Sequence, residues 1–160
     1  MLTCDTHFPN GYRCQLCEKT YSKRYPNVVA CASRQLDEFI SWIQAQPFYE
    51  NTTIVLCGDH LTMDPKFMQD VNEDYERTIY NCIINSAVTP TNEKNRQFGT
   101  FDMYPTTLAA MGVTIEGDRL GLGTNLFSDR QTITEEFGYE YVNREFQKNS
   151  KFYNKELLDM

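Results

Sequence analysis

The stretch Ile54-Val55-Leu56-Cys57-Gly58-Asp59-His60 sets the terms of the fold. From Thr52 to Cys57 the chain is rich in β-branched and apolar side chains, without polar alternation. That is the pattern of a strand covered on both faces, as in the centre of a parallel sheet. Gly58 allows a sharp turn, and Asp59 and His60 follow at the strand's carboxyl end. Open α/β sheets keep their functional groups at that end. The chain has two histidines. The other, His7 in Asp5-Thr6-His7-Phe8-Pro9, follows the short apolar segment 2–5 in the same way.

Outward from this strand, helical and extended patterns alternate. Val28, Ala32, Leu36, Phe39, Ile40 and Ile43 recur at helical spacing. Asn27 is the expected N-cap and Pro47 the stop. Trp42 lies beside the stripe, as a packing residue. A polar connection over 61–76 has room for one helical turn near Lys66–Asp70. Residues 77–85 read as another strand. A turn-rich, charged loop leads to a short helix over Asp102–Met111, with Asp102 at its start and Gly112 at its end. Residues 120–127 are glycine-rich and irregular, without the lysine of a phosphate loop. Alternation of this kind predicts an α/β layer fold. The reading divides the chain into a main domain over 1–130 and a charged, aromatic, helical tail over 131–160. Three or four strands are few for a complete doubly wound sheet, which points to part of a larger one.

Composition bounds the partners. At 160 residues with 41% hydrophobic content, the chain can bury a core. A net charge of -7 argues against a nucleic-acid binder, which carries a basic patch. No run approaches the ~20 apolar residues of a membrane span. No signal peptide is visible at Met1, so the chain reads as soluble.

Six cysteines are present. Cys4, Cys57 and Cys82 sit in apolar runs, where cysteine acts as a small hydrophobe. Cys31 is expected near the start of the long helix. Cys14 and Cys17 form a CxxC in a polar loop. That pair supplies only two of the four ligands of a structural zinc site, and no second pair has suitable spacing. A local disulfide or two plain thiols is the favoured reading.

Asp59 and His60 offer a carboxylate oxygen and an imidazole nitrogen, suited to Zn²⁺ or Mn²⁺. The plainer alternative is a turn with a coincidental histidine. His7 can bond a phosphoryl oxygen or protonate a leaving alkoxide. Its alternative is a loop histidine bonded to backbone. Asp5 can orient His7 or cap the turn.

Taken in order, Asp5-Thr6-His7-Phe8-Pro9, Gly58-Asp59-His60-Leu61-Thr62-Met63, Phe101–Leu108 with Gly112, and Arg119–Phe127 resemble the carboxyl-terminal portion of the alkaline phosphatase/sulfatase superfamily. The nearer resemblance is to its phosphoglycerol transferase branch, which includes lipoteichoic acid synthases and enzymes that decorate membrane-derived oligosaccharides. The resemblance implies a mixed, mostly parallel sheet flanked by helices. It implies a divalent metal, manganese first and zinc, magnesium or calcium as alternatives, with Asp59 and His60 as two of its ligands. It implies that His7 contacts the substrate phosphate. Phosphoglycerol would pass from a phosphatidylglycerol-type lipid to a glycan or glycerophosphate acceptor at the extracytoplasmic face of a bacterial membrane. The threonine nucleophile and an acidic metal ligand precede these motifs in the family. The chain is therefore expected to be a fragment with little activity by itself, and its incomplete sheet to favour self-association. A sulfatase or phosphodiesterase fragment of the same superfamily is the alternative, and a non-catalytic binding module is a third reading. In that third case His7, Asp59 and His60 would not converge.

Overall fold

The computed structural model describes residues 3–69 and 71–158. The chain divides into two compact units, residues 1–85 and 86–160. Leu2, where the first strand is expected to begin, and Asp70 lie outside the described residues.

In the first unit, residues 3–12 form turns rather than a strand. Their carbonyls are taken locally: His7 N–H donates to Cys4 O at 3.1 Å and Tyr12 N–H to Asp5 O at 2.6 Å. Gly11 permits this fold-back. Its φ is +63°, and a Cβ there would lie 2.7 Å from Asp5 O and 2.9 Å from Val28 Cγ1.

The first helix, α1, runs Arg24–Gln44. It begins three residues before the expected Asn27 cap, with Pro26 tolerated in the first turn, where N–H groups have no intrahelical partner. Asn27 is buried inside that turn and closes the preceding loop instead. Its side chain accepts from Tyr21 N–H and donates to the carbonyls of Tyr21 and Lys23. Tyr25, Val28 and Cys31 are buried, whereas Leu36, Ile40 and Ile43 are only half-buried. Trp42 is largely exposed and packs between Phe39 and Phe48 at centroid distances of 6.1 and 6.2 Å. Pro47 opens a 3₁₀ turn, Pro47–Asn51.

Strand β1 (Ile54–Cys57) emerges where expected. A one-turn helix, α2 (Pro65–Met68), follows, and then strand β2 (Asn81–Ile84), shorter than the 77–85 reading. The two strands pair antiparallel, from Ile54↔Ile84 to Cys57↔Asn81. This corrects the expectation of a parallel neighbour at this edge of β1. Parallel pairing needs a substantial crossover, usually a long helix, and the four residues of α2 do not provide one. Cys57 is exposed at the end of β1, Cys82 is half-buried within β2, and Cys4 is exposed in the first turn, so none of the three is a core cysteine.

The second unit contains α3 (Met103–Ala110), β3 (Arg119–Leu120), β4 (Gly123–Thr124), α4 (Ile133–Phe137) and α5 (Tyr139–Phe146). A π-helical turn follows at Tyr153–Leu157. Strands β3 and β4 form a minimal antiparallel hairpin. Asp102 does precede α3, but its side chain does not cap that helix. It is fully buried and accepts from Gly99 N–H at 2.8 Å and Thr124 N–H at 2.6 Å, tying the loop and β4 together. Burial pushes its carboxyl above the ordinary value, while these two N–H groups pull the other way. Arg96 and Glu135 make a second tie through two N–H···O bonds of 2.7 and 2.9 Å.

Helices and small antiparallel sheets thus make a mixed α/β chain. Among the described residues, no helix is long and apolar enough to cross a membrane.

Candidate functional site

In the first unit, His7, Asp59 and His60 line one cleft of about 660 Å³, together with Thr6, Tyr25 and Thr62. The two histidine-bearing loops come from distant parts of the sequence, and three side chains bind them together. Tyr25 O–H donates to Thr6 O at 3.0 Å, and its oxygen lies 2.9 Å from Thr62 Oγ1. Thr62 Oγ1 also accepts from Asp64 N–H at 3.3 Å. Asp64 is 3% exposed. One of its carboxylate oxygens caps α2, accepting from Lys66 and Phe67 N–H, while the other accepts from Asn10 N–H at 3.2 Å. Arg77 donates to Thr62 O at 2.8 Å and steadies the same loop. The ring of Tyr25 packs edge-on to Phe67 at 5.2 Å.

Sequence reasoning singled out neither Tyr25, Thr62, Asp64 nor Arg77 as a site residue. Asp64 was the legible one, because Asp-Pro is a helix-start signal. Nothing local marks Tyr25, whose role exists only once the loops meet.

Asp59 and His60 sit just beyond β1. Asp59 Oδ1 accepts from His60 N–H at 2.9 Å, which curls the pair into a tight turn. His60 Nδ1 faces the Leu61 carbonyl at 2.8 Å. A carbonyl can only accept, so Nδ1 donates in this contact, and Nε2 is the ring nitrogen left to face Asp59. Nε2 then lies 3.5 Å from Asp59 Oδ2. At that distance the two groups form a charge pair when the ring is protonated and can share a cation when it is not. A tetrahedral ion about 2.1 Å from each donor separates them by about 3.4 Å, so the spacing suits two ligands of one ion. Both side chains are open to solvent, 78% exposed for Asp59 and 56% for His60.

A second group of titratable side chains stands apart from this cleft. Cys14, Cys17 and Cys31 bring their sulfurs within 4.8 Å of one another. The N–H groups of Leu16 and Cys17 address Cys14, and the Leu16 contact chiefly holds its thiol below the ordinary value against burial. Burial pushes the Cys17 thiol up to about 11. All six cysteines are free thiols in this structure.

No family model matches the chain, and no solved structure gives a significant match. Curated proteins do match. The chain is 30% identical over 146 residues to the phosphoglycerol transferase I of Citrobacter koseri. It is 32% identical over 146 residues to the protein of the same name from Salmonella choleraesuis, and 31% identical to that from Salmonella paratyphi B. In each case the match covers 85% of this chain and 18% of the relative. The chain thus spans under one fifth of the length of the curated relatives it matches, and over most of its own length it is a homologue of proteins named phosphoglycerol transferase I.

Proposed function

We propose that this chain is part of the catalytic domain of a metal-dependent phosphoglycerol transferase. The observation that carries the reading is the meeting of His7, Asp59 and His60 in one cleft. The two cation-ready donors of the Asp59-His60 turn and the names of the relatives support it. The place of the three residues in one cleft supports a catalytic reading over a binding module, and the relatives' name supports a transferase over a sulfatase.

In this reading Asp59 Oδ2 and His60 Nε2 are two ligands of a divalent ion, manganese or another of similar preference. When bound, the ion supplies positive charge that lowers the nucleophile's pKa and neutralises the phosphoryl oxygens. The remaining ligands and the threonine nucleophile come from the part of the relatives' length that this chain does not span. The threonine oxygen attacks phosphorus, the bond to diacylglycerol breaks, and the departing alkoxide takes a proton. An acceptor hydroxyl then attacks the same phosphorus, loses its proton and frees the threonine. His7, exposed at the cleft, donates a hydrogen bond to a phosphoryl oxygen or passes the proton to the leaving oxygen. The substrates are a phosphatidylglycerol-type lipid and a glycan or glycerophosphate acceptor, at the outer face of a bacterial membrane. The edge of β1 away from β2 is where parallel strands of an alkaline phosphatase-like sheet would add.

The test uses the longest reading frame containing these residues, assayed for phosphoglycerol transfer from phosphatidylglycerol with Mn²⁺. Asp59→Ala and His60→Ala are each expected to lower transfer more than about a hundredfold, the upper range for losing even an outer-shell partner of a metal. Unchanged transfer in either variant would sink the proposal.

A further inference from the structure

We infer that Cys14, Cys17 and Cys31 form a three-thiolate site for a thiophilic divalent ion, zinc by chemistry, separate from the Asp59-His60 cleft. The CxxC alone lacks ligands. The fold supplies a third from the second turn of α1, fourteen residues beyond the motif.

The geometry is that of a coordination shell more than of a disulfide. Cys14 Sγ lies 3.6 Å from Cys17 Sγ and 3.7 Å from Cys31 Sγ. Sulfurs about 2.3 Å from a tetrahedral zinc are separated by about 3.8 Å. A disulfide would bring two of them to about 2.05 Å and strand the third. Cys17 and Cys31 are buried and Cys14 is half-buried, so one side of the group stays open. A turn closed by Cys17 N–H to Cys14 O at 3.2 Å holds the two loop cysteines on the same side.

Burial and the neighbouring sulfurs hold Cys17 as a thiol in the metal-free chain, so binding would release its proton and the ion's charge would offset the burial. Three thiolates around a dication leave one net negative charge. Arg34 extends along α1 toward it, with Nη2 3.9 Å from Cys31 Sγ, while also donating to Leu16 O at 2.7 Å. Gln35 Nε2 lies 3.3 Å from Cys31 Sγ and 3.8 Å from Cys14 Sγ, so its amide borders the sulfur group. With its amide turned over, Gln35 presents an oxygen to that group, and water can take the same place. The bound ion would pin the loop over 12–20 to α1, a segment otherwise rich in exposed side chains.

The experiment is a Co²⁺ and Zn²⁺ titration of the reduced full chain, with metal content, thiol count and circular dichroism recorded together. We expect one Zn²⁺ retained per chain and one Co²⁺ giving an intense sulfur-to-cobalt charge-transfer band. Ions at Asp59-His60 give no such band, so Asp59→Ala leaves it unchanged. Cys31→Ser should weaken Zn²⁺ at least tenfold, whereas Cys82→Ser should not. If Cys31→Ser fails to fold, the charge-transfer band of the unaltered chain, removed by chelator and restored by Co²⁺, still decides. Absence of that band, a Cys14–Cys17 disulfide persisting under thiol reductant, or full Zn²⁺ affinity in folded Cys31→Ser would each overturn the site.

Discussion

The Tyr25 hydroxyl lies 2.9 Å from the Thr62 hydroxyl, and this contact joins the loop of His7 to the loop of His60. Tyr25 spends its own proton on Thr6 O, so Thr62 must be the donor in the pair. A single proton order therefore runs from Asp64 N–H through Thr62 and Tyr25 to Thr6, the residue before His7. The two histidine-bearing sides of the cleft are thus held together by residues of its own lining.

The chain of bonds makes a cooperative pair. Tyr25→Phe should destabilise the first unit by about 1 kcal/mol, and Thr62→Val by a similar amount. The double variant should cost less than the two singly, because each removes the same bond. Urea unfolding followed by the fluorescence of Trp42, the single tryptophan of the chain, measures this in the first unit. Strict additivity would mean that the bond couples nothing.

Gly11 gives a second test of the same scaffold. An added methyl meets Asp5 O at 2.7 Å and Val28 Cγ1 at 2.9 Å, and its φ of +63° disfavours any side chain. Gly11→Ala should cost roughly 1–3 kcal/mol. It should also displace His7 relative to His60, because the Tyr12 N–H to Asp5 O bond closes over this glycine. Chemical-shift changes at His7 larger than those at His60 would bear this out. Equal, negligible shifts would contradict it.

Two ligands hold an ion poorly. The 160-residue chain should bind Mn²⁺ weakly at Asp59-His60 and show little turnover of a phosphatidylglycerol analogue. Paramagnetic broadening by Mn²⁺ should centre on His60 and reach His7, and Asp59→Ala should abolish it. Robust turnover by the isolated chain, abolished by Asp59→Ala, would refute the division of the site between this chain and other residues.

Much of this was readable from the residues, and the exceptions share a cause. The strand at Ile54–Cys57 and the helix stop at Pro47 follow from local patterns, and both are observed. The antiparallel direction of β1's neighbour is not legible in the residues, because side-chain burial is similar for parallel and antiparallel neighbours covered on both faces. Only the path of the returning chain separates them. Asn27 was misplaced as a cap because its side chain serves the loop before α1 instead. Cys31, Tyr25 and Thr62 gave no local signal. Each acts on a residue at least 17 positions away, and such roles appear only after the backbone has folded.

The Arg96–Glu135 pair gives the second unit a pH dependence of definite sign. Arg96 and Glu135 are 10% and 18% exposed. Burial works against the charge of Glu135, but the Arg96 guanidinium and the N–H groups of Thr132 and Gln97 outweigh it and hold the carboxyl below its ordinary value of 4.5. Below that value the unfolded chain takes up a proton before the folded one does. The pair's contribution is therefore complete above 4.5 and drains away as pH falls through the lower, folded value. Asp102 runs the other way: with its carboxyl raised by burial, it costs stability as pH rises through its folded value. Glu135→Gln should thus cost roughly 3 kcal/mol at neutral pH, where it leaves Arg96 without its counter-charge. The difference from the unaltered chain should shrink as pH falls below 4.5. Hydrogen exchange at the Gln97 and Thr132 amides, which donate to the two Glu135 oxygens, reports on this unit directly. A Glu135→Gln penalty that stays constant from neutral pH to strong acid would show that the charge of the pair contributes nothing to holding α4 in place.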